Sequence, residues 1–312
     1  MSALICGSVA FDTIMVFQDH FKHHILPEQV HILNVSFLVP DMRREFGGCA
    51  GNIAYGLRLL GGDGRPMATV GTDFAPYADW MDARGIDRTH VRVLDDEYTA
   101  QAYITTDQDD NQITAFHPGA MNRAHENRVG DAEGVTLGMV SPDGRQGMLE
   151  HAAQFAELGI PFIFDPGQGM PLFDGNELAR FAEQARWLAF NDYEAKLMQE
   201  RTGKSLEQLA RGVDAVIVTR GGEGSTIITR LATYDIPAAP VERLVDPTGC
   251  GDAYRAGLIF GLQHGLDWPM TGRVAALMGA IKIEHAGTQN HHFTREAFVE
   301  RFEQAFGMPL GL

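Results

Sequence analysis

No run of about eighteen apolar residues occurs in the 312-residue chain, so a membrane-spanning helix is not expected. Cysteine is scarce as well. Cys6, Cys49 and Cys250 cannot all pair and form no C-x-x-C element, so reduced thiols are expected. Basic residues are outnumbered, 25 Lys and Arg against 41 Asp and Glu, and the formal net charge is −16. That balance argues against a nucleic-acid or anionic-membrane surface, which needs a basic stripe. Any anionic ligand must therefore be held by local geometry. The opening Ala3-Leu4-Ile5-Cys6 is too short for a secretion signal and lacks its basic flank, so a cytoplasmic location is expected. The pattern G-x-x-x-x-G-K-S/T is missing, which excludes a P-loop, and without G-x-G-x-x-G a dinucleotide-binding reading lacks its fingerprint. With no internal repeat, low-complexity tract or proline-rich linker, a single domain over residues 1–312 is expected.

The apolar residues that are present fall into short runs that stop abruptly. Phe162-Ile163-Phe164 runs into Asp165-Pro166-Gly167-Gln168, Trp187 to Phe190 into Asn191, and Ala215 to Val218 into Thr219-Arg220-Gly221-Gly222. Runs of this length between helical patterns read as buried strands of a parallel sheet, an α/β fold whose ligands sit at the carboxyl ends of the strands. Ile53, Leu57 and Leu60 share a helix face that Gly61-Gly62 terminates, and Val274, Leu277, Met278 and Ile281 repeat the spacing as a core stripe. Residues 13–45 and about 97–118 break this rhythm with alternating patterns that include Tyr98, Gln101, Tyr103 and Thr105. They are expected to form a small β-sheet that covers the site as a lid.

One segment carries the chemistry. Asp246-Pro247-Thr248-Gly249-Cys250-Gly251-Asp252 puts two glycines and a carboxylate ahead of a helical pattern that runs on from Ala253. Unpaired N–H groups at a helix start attract an anion, and glycine lets it approach the backbone. An acid beside a phosphate repels it unless it acts on a hydroxyl, so Asp252 reads as a general base; a plain N-terminal cap is the other role open to it. Gly7-Ser8-Val9-Ala10-Phe11-Asp12 follows the first apolar run, and Gly47-Gly48-Cys49-Ala50-Gly51-Asn52 opens the Ile53 helix. Asp12 as acceptor and Asn52 as donor and acceptor suit the vicinal hydroxyls of a sugar, although a Gly-Gly pair before a helix is also ordinary turn chemistry.

Gly47-Gly48…Asn52, Asn191-Asp192-Tyr193-Glu194, Thr219-x-Gly221-x-x-Gly224 and Asp246 to Asp252 occur in the order seen in ribokinase-like (PfkB) sugar and nucleoside kinases, and nearly the whole chain resembles that family. Asp12, Ser36-Phe37, Phe116-His117-Pro118-Gly119-Ala120 and Asp165-Pro166-Gly167-Gln168 look most like bacterial adenosine and purine-nucleoside kinases. The resemblance implies a three-layer α/β/α kinase with a mostly parallel central sheet and ATP as phosphate donor. In it Asp252 is the base, and the N–H groups of Gly249, Cys250 and Gly251 form the anion hole. Thr219, Gly221, Gly224 and Asn191 line the ATP side, and Asn191 with Glu194 orients Mg2+ through water. Ser8, Asp12, Gly48 and Asn52 belong to the ribose side, Phe37 and Phe116 stack on a flat base, Ser36 lies beside them, and Gln168 hydrogen-bonds in the nucleoside pocket. Asp246 and Thr248, with the loop Ala286-Gly287-Thr288, resemble the family's monovalent-cation site, a place for K+. Pro247 and Cys250 depart from the threonine and alanine usual at those positions, without removing a donor that the anion hole needs.

The implied activity is phosphorylation of the 5′-hydroxyl of a purine nucleoside, adenosine first, with guanosine or inosine as alternatives. A kinase for free ribose or fructose and a non-catalytic ligand-binding regulator remain as other readings. The expected partners are the nucleoside and ATP, neither nucleic acid nor membrane, and a second copy paired through exposed lid strands. The doublets His23-His24 and His291-His292 are expected at the solvated surface, since adjacent histidines diverge and no third ligand is spaced to help. Cys49 and Cys250 lie in motifs that should converge. They are expected to pack as inert thiols, the alternative being that oxidation or alkylation blocks substrate binding.

Overall fold

The computed structural model describes residues 2–25, 34–109 and 111–311; residues 26–33 of the expected lid, and residue 110, lie outside them. The strands are Ser2–Cys6 (β1), Ala10–Val16 (β2), Asp41–Gly47 (β3), Asp63–Val70 (β4), Val91–Val93 (β5), Ala100–Thr106 (β6) and Gln112–His117 (β7). Val135–Val140 (β8), Phe162–Phe164 (β9), Trp187–Asn191 (β10), Ala215–Thr219 (β11), Ser225–Ile228 (β12) and Thr233–Ile236 (β13) complete them. The large sheet has the order β13-β12-β11-β10-β9-β8-β1-β4-β5. From β5 to β11 it is parallel, and β12 and β13 close one edge as antiparallel strands.

Helices cover both faces because the strand residues are apolar on both. Ala3, Ile5, Met139, Ile163, Ala189 and Ile217 face one core, shared with Cys49–Leu59 (α1), Ala75–Ala83 (α2) and three C-terminal helices. Leu4, Cys6, Val140, Phe162, Phe164, Leu188 and Val218 face the other, under Arg145–Glu157 (α3), Gly175–Gln184 (α4), Asp192–Thr202 (α5) and Leu206–Ala210 (α6). The C-terminal helices are Cys250–Gln263 (α7), Trp268–Ile283 (α8) and Arg295–Phe306 (α9). The α8 stripe Val274, Leu277, Met278 and Ile281 is buried as its spacing requires, and α1 stops just before Gly61, whose φ is 81°.

The segments that broke the β/α rhythm build a second sheet of order β3-β2-β6-β7. Its base is anchored to the body by an aromatic cluster in which Phe46 packs on Tyr77 and Trp80 at 4.7 and 4.9 Å and Phe11 on Tyr77 at 5.7 Å. At its far end Asp107 accepts hydrogen bonds from the N–H groups of Phe21, Asp109 and Asn111, tying the turn after β6 to the chain that leaves β2. The sheet therefore projects from the body by one fixed end.

His291 corrects the expectation of a solvated doublet. His292 is exposed, but only 1% of His291 is. Its ring meets Tyr55 edge-on at 5.3 Å, and the Tyr55 hydroxyl donates to its carbonyl. Burial first, then the nearby charges of Lys282, His285 and His292, pushes its pKa down to about 3, so the ring is neutral. His23 and His24 are exposed as expected, each against Asp19.

Phe164 is fully buried and stacks on Phe181 at 4.2 Å, directly beneath the strand end that carries Asp165. Truncation there leaves a cavity under the site, and Phe164→Ala is expected to cost about 3–5 kcal/mol. The urea midpoint measures the loss; a change below about 1 kcal/mol would contradict this account of the core.

Candidate active site

Two helix N-termini are brought together, each opened by a glycine with no side chain of its own to cap it. Gly48 precedes α1 with φ 85°, and a Cβ there would stand 2.6 Å from the Ser8 carbonyl and 2.7 Å from the Ala10 nitrogen. Only glycine permits this approach, which lays α1 across the crossing from β1 to β2. Gly249, with φ 78°, opens α7 in the same way, with no capping side chain of its own to compete with a ligand for the start of the helix. Of the three expected anion-hole donors, Cys250 N–H closes a turn onto the Pro247 carbonyl at 3.2 Å. Gly249 and Gly251 flank it.

Asn52 and Asp252 join the two helices. Asn52 Nδ2 donates to Asp252 Oδ2 at 2.7 Å, across 200 residues of sequence. The orientation of that amide follows from a chain of forced choices. Trp80 Nε1 can only donate, and it donates to Gln289 Oε1 at 3.0 Å. Gln289 must then turn its amino group toward Asn52 Oδ1, 2.9 Å away, and toward the Tyr77 hydroxyl, which itself donates to the Gly47 carbonyl. Asn52 is left with its own amino group for Asp252. The indole thereby fixes the Asp252 carboxylate as an acceptor two amides away.

Burial raises the Asp252 pKa to about 6. The Asn52 donor and Arg255 oppose that rise, and the Asp165 carboxylate adds to it. A carboxylate so tuned is mostly ionised at neutral pH yet basic enough to take a proton. Arg255 stands one turn further along α7 and forms a buried pair with Asp165, at 2.9 and 3.3 Å. Glu194 shares that field. Its pKa is raised by burial and then by Asp165, while the N–H of Asn191 and the charge of Arg255 lower it. Asn191 and Glu194 form the capping box of α5, and Asn191 pairs with Thr219 at the adjoining ends of β10 and β11. Thr219, Gly221 and Gly224 form the turn between β11 and β12. The three expected strand ends therefore adjoin.

The lid contributes a row of side chains. Asp12 on β2 is registered with Glu45 on β3 and Ala102 on β6, and Ala102 with Phe116 on β7. Laterally paired residues share one face of a sheet, so an acid and an exposed aromatic ring lie on the same side. Burial pushes the Asp12 pKa up to about 6, with the Glu45 and Asp246 carboxylates adding to the rise. Phe37 takes a different place. It packs at 4.9 and 5.0 Å on Phe17 and Phe21 at the far end of the lid, because those apolar rings are the surface available to it there. Ser36 and Gln168 are exposed. Ser8 accepts from the N–H of Cys49 at 3.1 Å and so supports the start of α1.

Cys49 is half-buried beside Asp252. Burial and the Asp252 and Asp165 carboxylates hold its thiol well above the usual range, while burial pushes Cys250 up to about 11. Neither thiol is an activated nucleophile, in keeping with the packing role expected of both. Asp246, named for the expected cation site, is already hydrogen-bonded. Its carboxylate accepts from Thr248 N–H and Gly287 N–H, each at 2.9 Å, and its carbonyl accepts from the buried Lys282 ammonium at 2.7 Å. Burial would raise its pKa, but those hydrogen bonds and Lys282 bring it below the ordinary value. Thr248 is exposed. Gln289, Trp80, Tyr77, Arg255, Glu45 and Lys282 were not anticipated. Only the placement of Arg255 three residues after Asp252 on a helix gave a signal in the sequence.

Among the described residues no helix is long and apolar enough to cross a membrane, and no three His, Cys, Asp or Glu side chains stand close enough to hold a metal directly. Residues 9–294 match the model of the pfkB family carbohydrate kinases. The chain is similar to the nucleoside kinase of Methanocaldococcus jannaschii, 30% identical over 273 residues that cover 87% of this chain and 90% of that one. It is also similar to the solved Burkholderia thailandensis nucleoside kinase in complex with inosine, with 56% identity, TM-score 0.91 and 99% of each chain covered. The ADP-inosine complex of that enzyme gives 58% identity and a TM-score of 0.88 over 99% of this chain and 97% of that one.

Asn52 lowers the Asp252 pKa, so Asn52→Ala is expected to raise it and to move the acid limb of the kcat/KM profile, near pH 6 in the unaltered protein, to higher pH. Asp12 titrates in the same range but is not hydrogen-bonded to Asn52, so its contribution stays in place. A pH–rate profile whose acid limb does not move would show that Asn52 leaves the base untouched.

Proposed function

The chain belongs to the pfkB family of carbohydrate kinases, phosphotransferases with an alcohol acceptor, and on that premise we propose that it transfers the γ-phosphoryl group of ATP to the 5′-hydroxyl of a purine nucleoside, with adenosine as first substrate. The observation that carries a nucleoside over a free sugar is the lid row in which Asp12 and Phe116 share a face. An acid suits the ribose hydroxyls, and an exposed ring two strands away on the same face suits a flat base. Inosine is the second reading, since the Burkholderia enzyme, at 56% identity, was solved with it.

In this reading Asp252 accepts the hydroxyl proton as the new O–P bond forms and the bond from γ-phosphorus to ADP breaks. The N–H groups at the start of α7, from Gly249 and Gly251 with Cys250 between them, meet the charge on the transferring group. Asp12 and Asn52 hold the ribose over Gly48 and Ser8. Thr219, Gly221, Gly224 and Asn191 line the ATP side, with Gln168 and Ser36 at the margin of the nucleoside pocket. The acids Asp252, Asp165 and Glu194 outnumber Arg255 in a shared field, which fits a hydrated Mg2+ oriented through water by Asn191 and Glu194. When bound, Mg2+ supplies charge neutralisation on the donor phosphates. Lid closure would keep water from the phosphoryl group. The edge strand β7 is exposed along its length, and so are Asp41 to Arg44 of β3, which supports a homodimer paired through the lid; a monomeric mass by light scattering at assay concentration would exclude it.

Asp252→Asn is expected to lower kcat by about 10²- to 10⁴-fold while nucleoside binding persists. Unchanged turnover would remove Asp252 from the mechanism. Phe116→Ala is expected to weaken adenosine by about 1–3 kcal/mol, the usual worth of a base stacked on an aromatic ring. A panel of adenosine, guanosine, inosine, cytidine, ribose and fructose with ATP and Mg2+ checks the acceptor. Faster turnover of a free sugar than of every nucleoside would refute the nucleoside reading.

A further inference from the structure

Lys282, in the last turn of α8, is the one lysine among the described residues with no exposure at all. Its Nζ donates to the Asp246 carbonyl at 2.7 Å and to the His285 carbonyl at 3.3 Å, and it lies 3.9 Å from Asp246 Oδ1. Two carbonyl oxygens accept from the ammonium, and the carboxylate stands at ion-pair distance from it. The same carbonyls and carboxylate are the hard oxygen donors that a monovalent cation would need beside Asp246. The rest of the cradle is closed as well. Gly287 N–H and Thr248 N–H take the two Asp246 carboxylate oxygens, and the N–H groups of Val245 and Asp246 both bond to the Ile283 carbonyl. Lys282 thus ties the end of α8 to the first residue of the turn that carries Gly249 to Asp252. The neighbouring titratable groups are Asp246, Cys250 and Asp252 on one side and His285 and His291 on the other. Burial holds His291 neutral.

A potassium ion does not fit this arrangement. The ammonium already draws on the Asp246 and His285 oxygens, and a potassium ion beside them would stand against a like charge. We propose that Lys282 is a built-in replacement for the activating monovalent cation: its ammonium does the positioning that K+ would do, so turnover is independent of K+, and removing the ammonium creates a K+-dependent enzyme. Lys282 touches neither acceptor nor donor in this scheme and acts through the Asp246 turn, as a positioning residue.

The rate arm rests on the kinase reading given above; the melting arm does not, so failure of the two can be told apart. The full-length protein is assayed in potassium chloride and in choline chloride at equal ionic strength, and its melting temperature is recorded in both. The unaltered protein is expected to show the same rate and the same melting temperature in the two salts. Lys282→Ala is expected to lose activity in choline and to regain it with K+ or ammonium, by about 5- to 150-fold, the usual range for coupling between two sites. Its melting temperature should rise with K+, because a bound ion stabilises the folded state by mass action. Lys282→Met fills the space without the charge and should lose activity with no recovery in K+. Activation of the unaltered protein by K+, a measurement that needs no variant to fold, would overturn the proposal. So would a folded Lys282→Ala protein indifferent to K+ in both rate and melting temperature.

Discussion

The hydrogen bond from Asn52 to Asp252 is the constraint on which the site depends, because it fixes two helix N-termini against each other. Each helix was made available by a left-handed glycine in place of a capping side chain. On α1, Ser8 takes the N–H groups of Cys49 and Ala50, whereas at α7 a side-chain cap would compete with an anion for the same donors. The bond also decides the charge of Asp252. Without that donor, less would oppose the burial that pushes its pKa up, and less of the acid would be in the ionised form that a base requires. Gln289 and Trp80 determine which end of the Asn52 amide faces Asp252. Their part is directional, and it follows from the indole having a proton to give and none to accept.

Around this bond the protein manages an excess of negative charge with few fixed cations. The chain carries a formal net charge of −16, and carboxylates at positions 12, 45, 165, 194, 246 and 252 lie within one another's electrostatic reach in overlapping groups. Two buried cations offset them. Arg255 engages Asp165 on the side of Glu194, and Lys282 engages Asp246 on the other side of the start of α7. Both reach their partners from helices, so their charges hold position with the core. Acids arranged in this way around helix N-termini are suited to pull a proton from a neutral hydroxyl.

The lid follows a separate logic. Its base is welded to the body by aromatic packing around Tyr77, while its outer strands carry exposed residues on an open edge. Register, with its period of two, is what places Asp12, Ala102 and Phe116 on one face. A slip by one residue would turn Phe116 away from Asp12 and remove the feature that favours a nucleoside.

The local patterns were legible in the sequence. Strand ends at Asp165, Asn191 and Thr219, the stripe on α8, the two glycine turns and the irregular lid segments each declare themselves within a few residues, because strand and helix periodicity and backbone sterics act over that range. Asp252 and Asn52 could be named for the same reason, as residues at fixed offsets from helix-opening glycines. What only the tertiary structure decided are encounters between distant positions. Asn52 meets Asp252 and Gln289, Lys282 meets Asp246, His291 is buried on Tyr55, and Phe37 joins Phe17 and Phe21. Those outcomes depend on which oxygen lies within reach of a side-chain nitrogen, and on which apolar surface a ring finds, once the sheet is assembled. No periodicity along the chain encodes that reach, so the sequence determined which groups are present and the fold determined which of them touch.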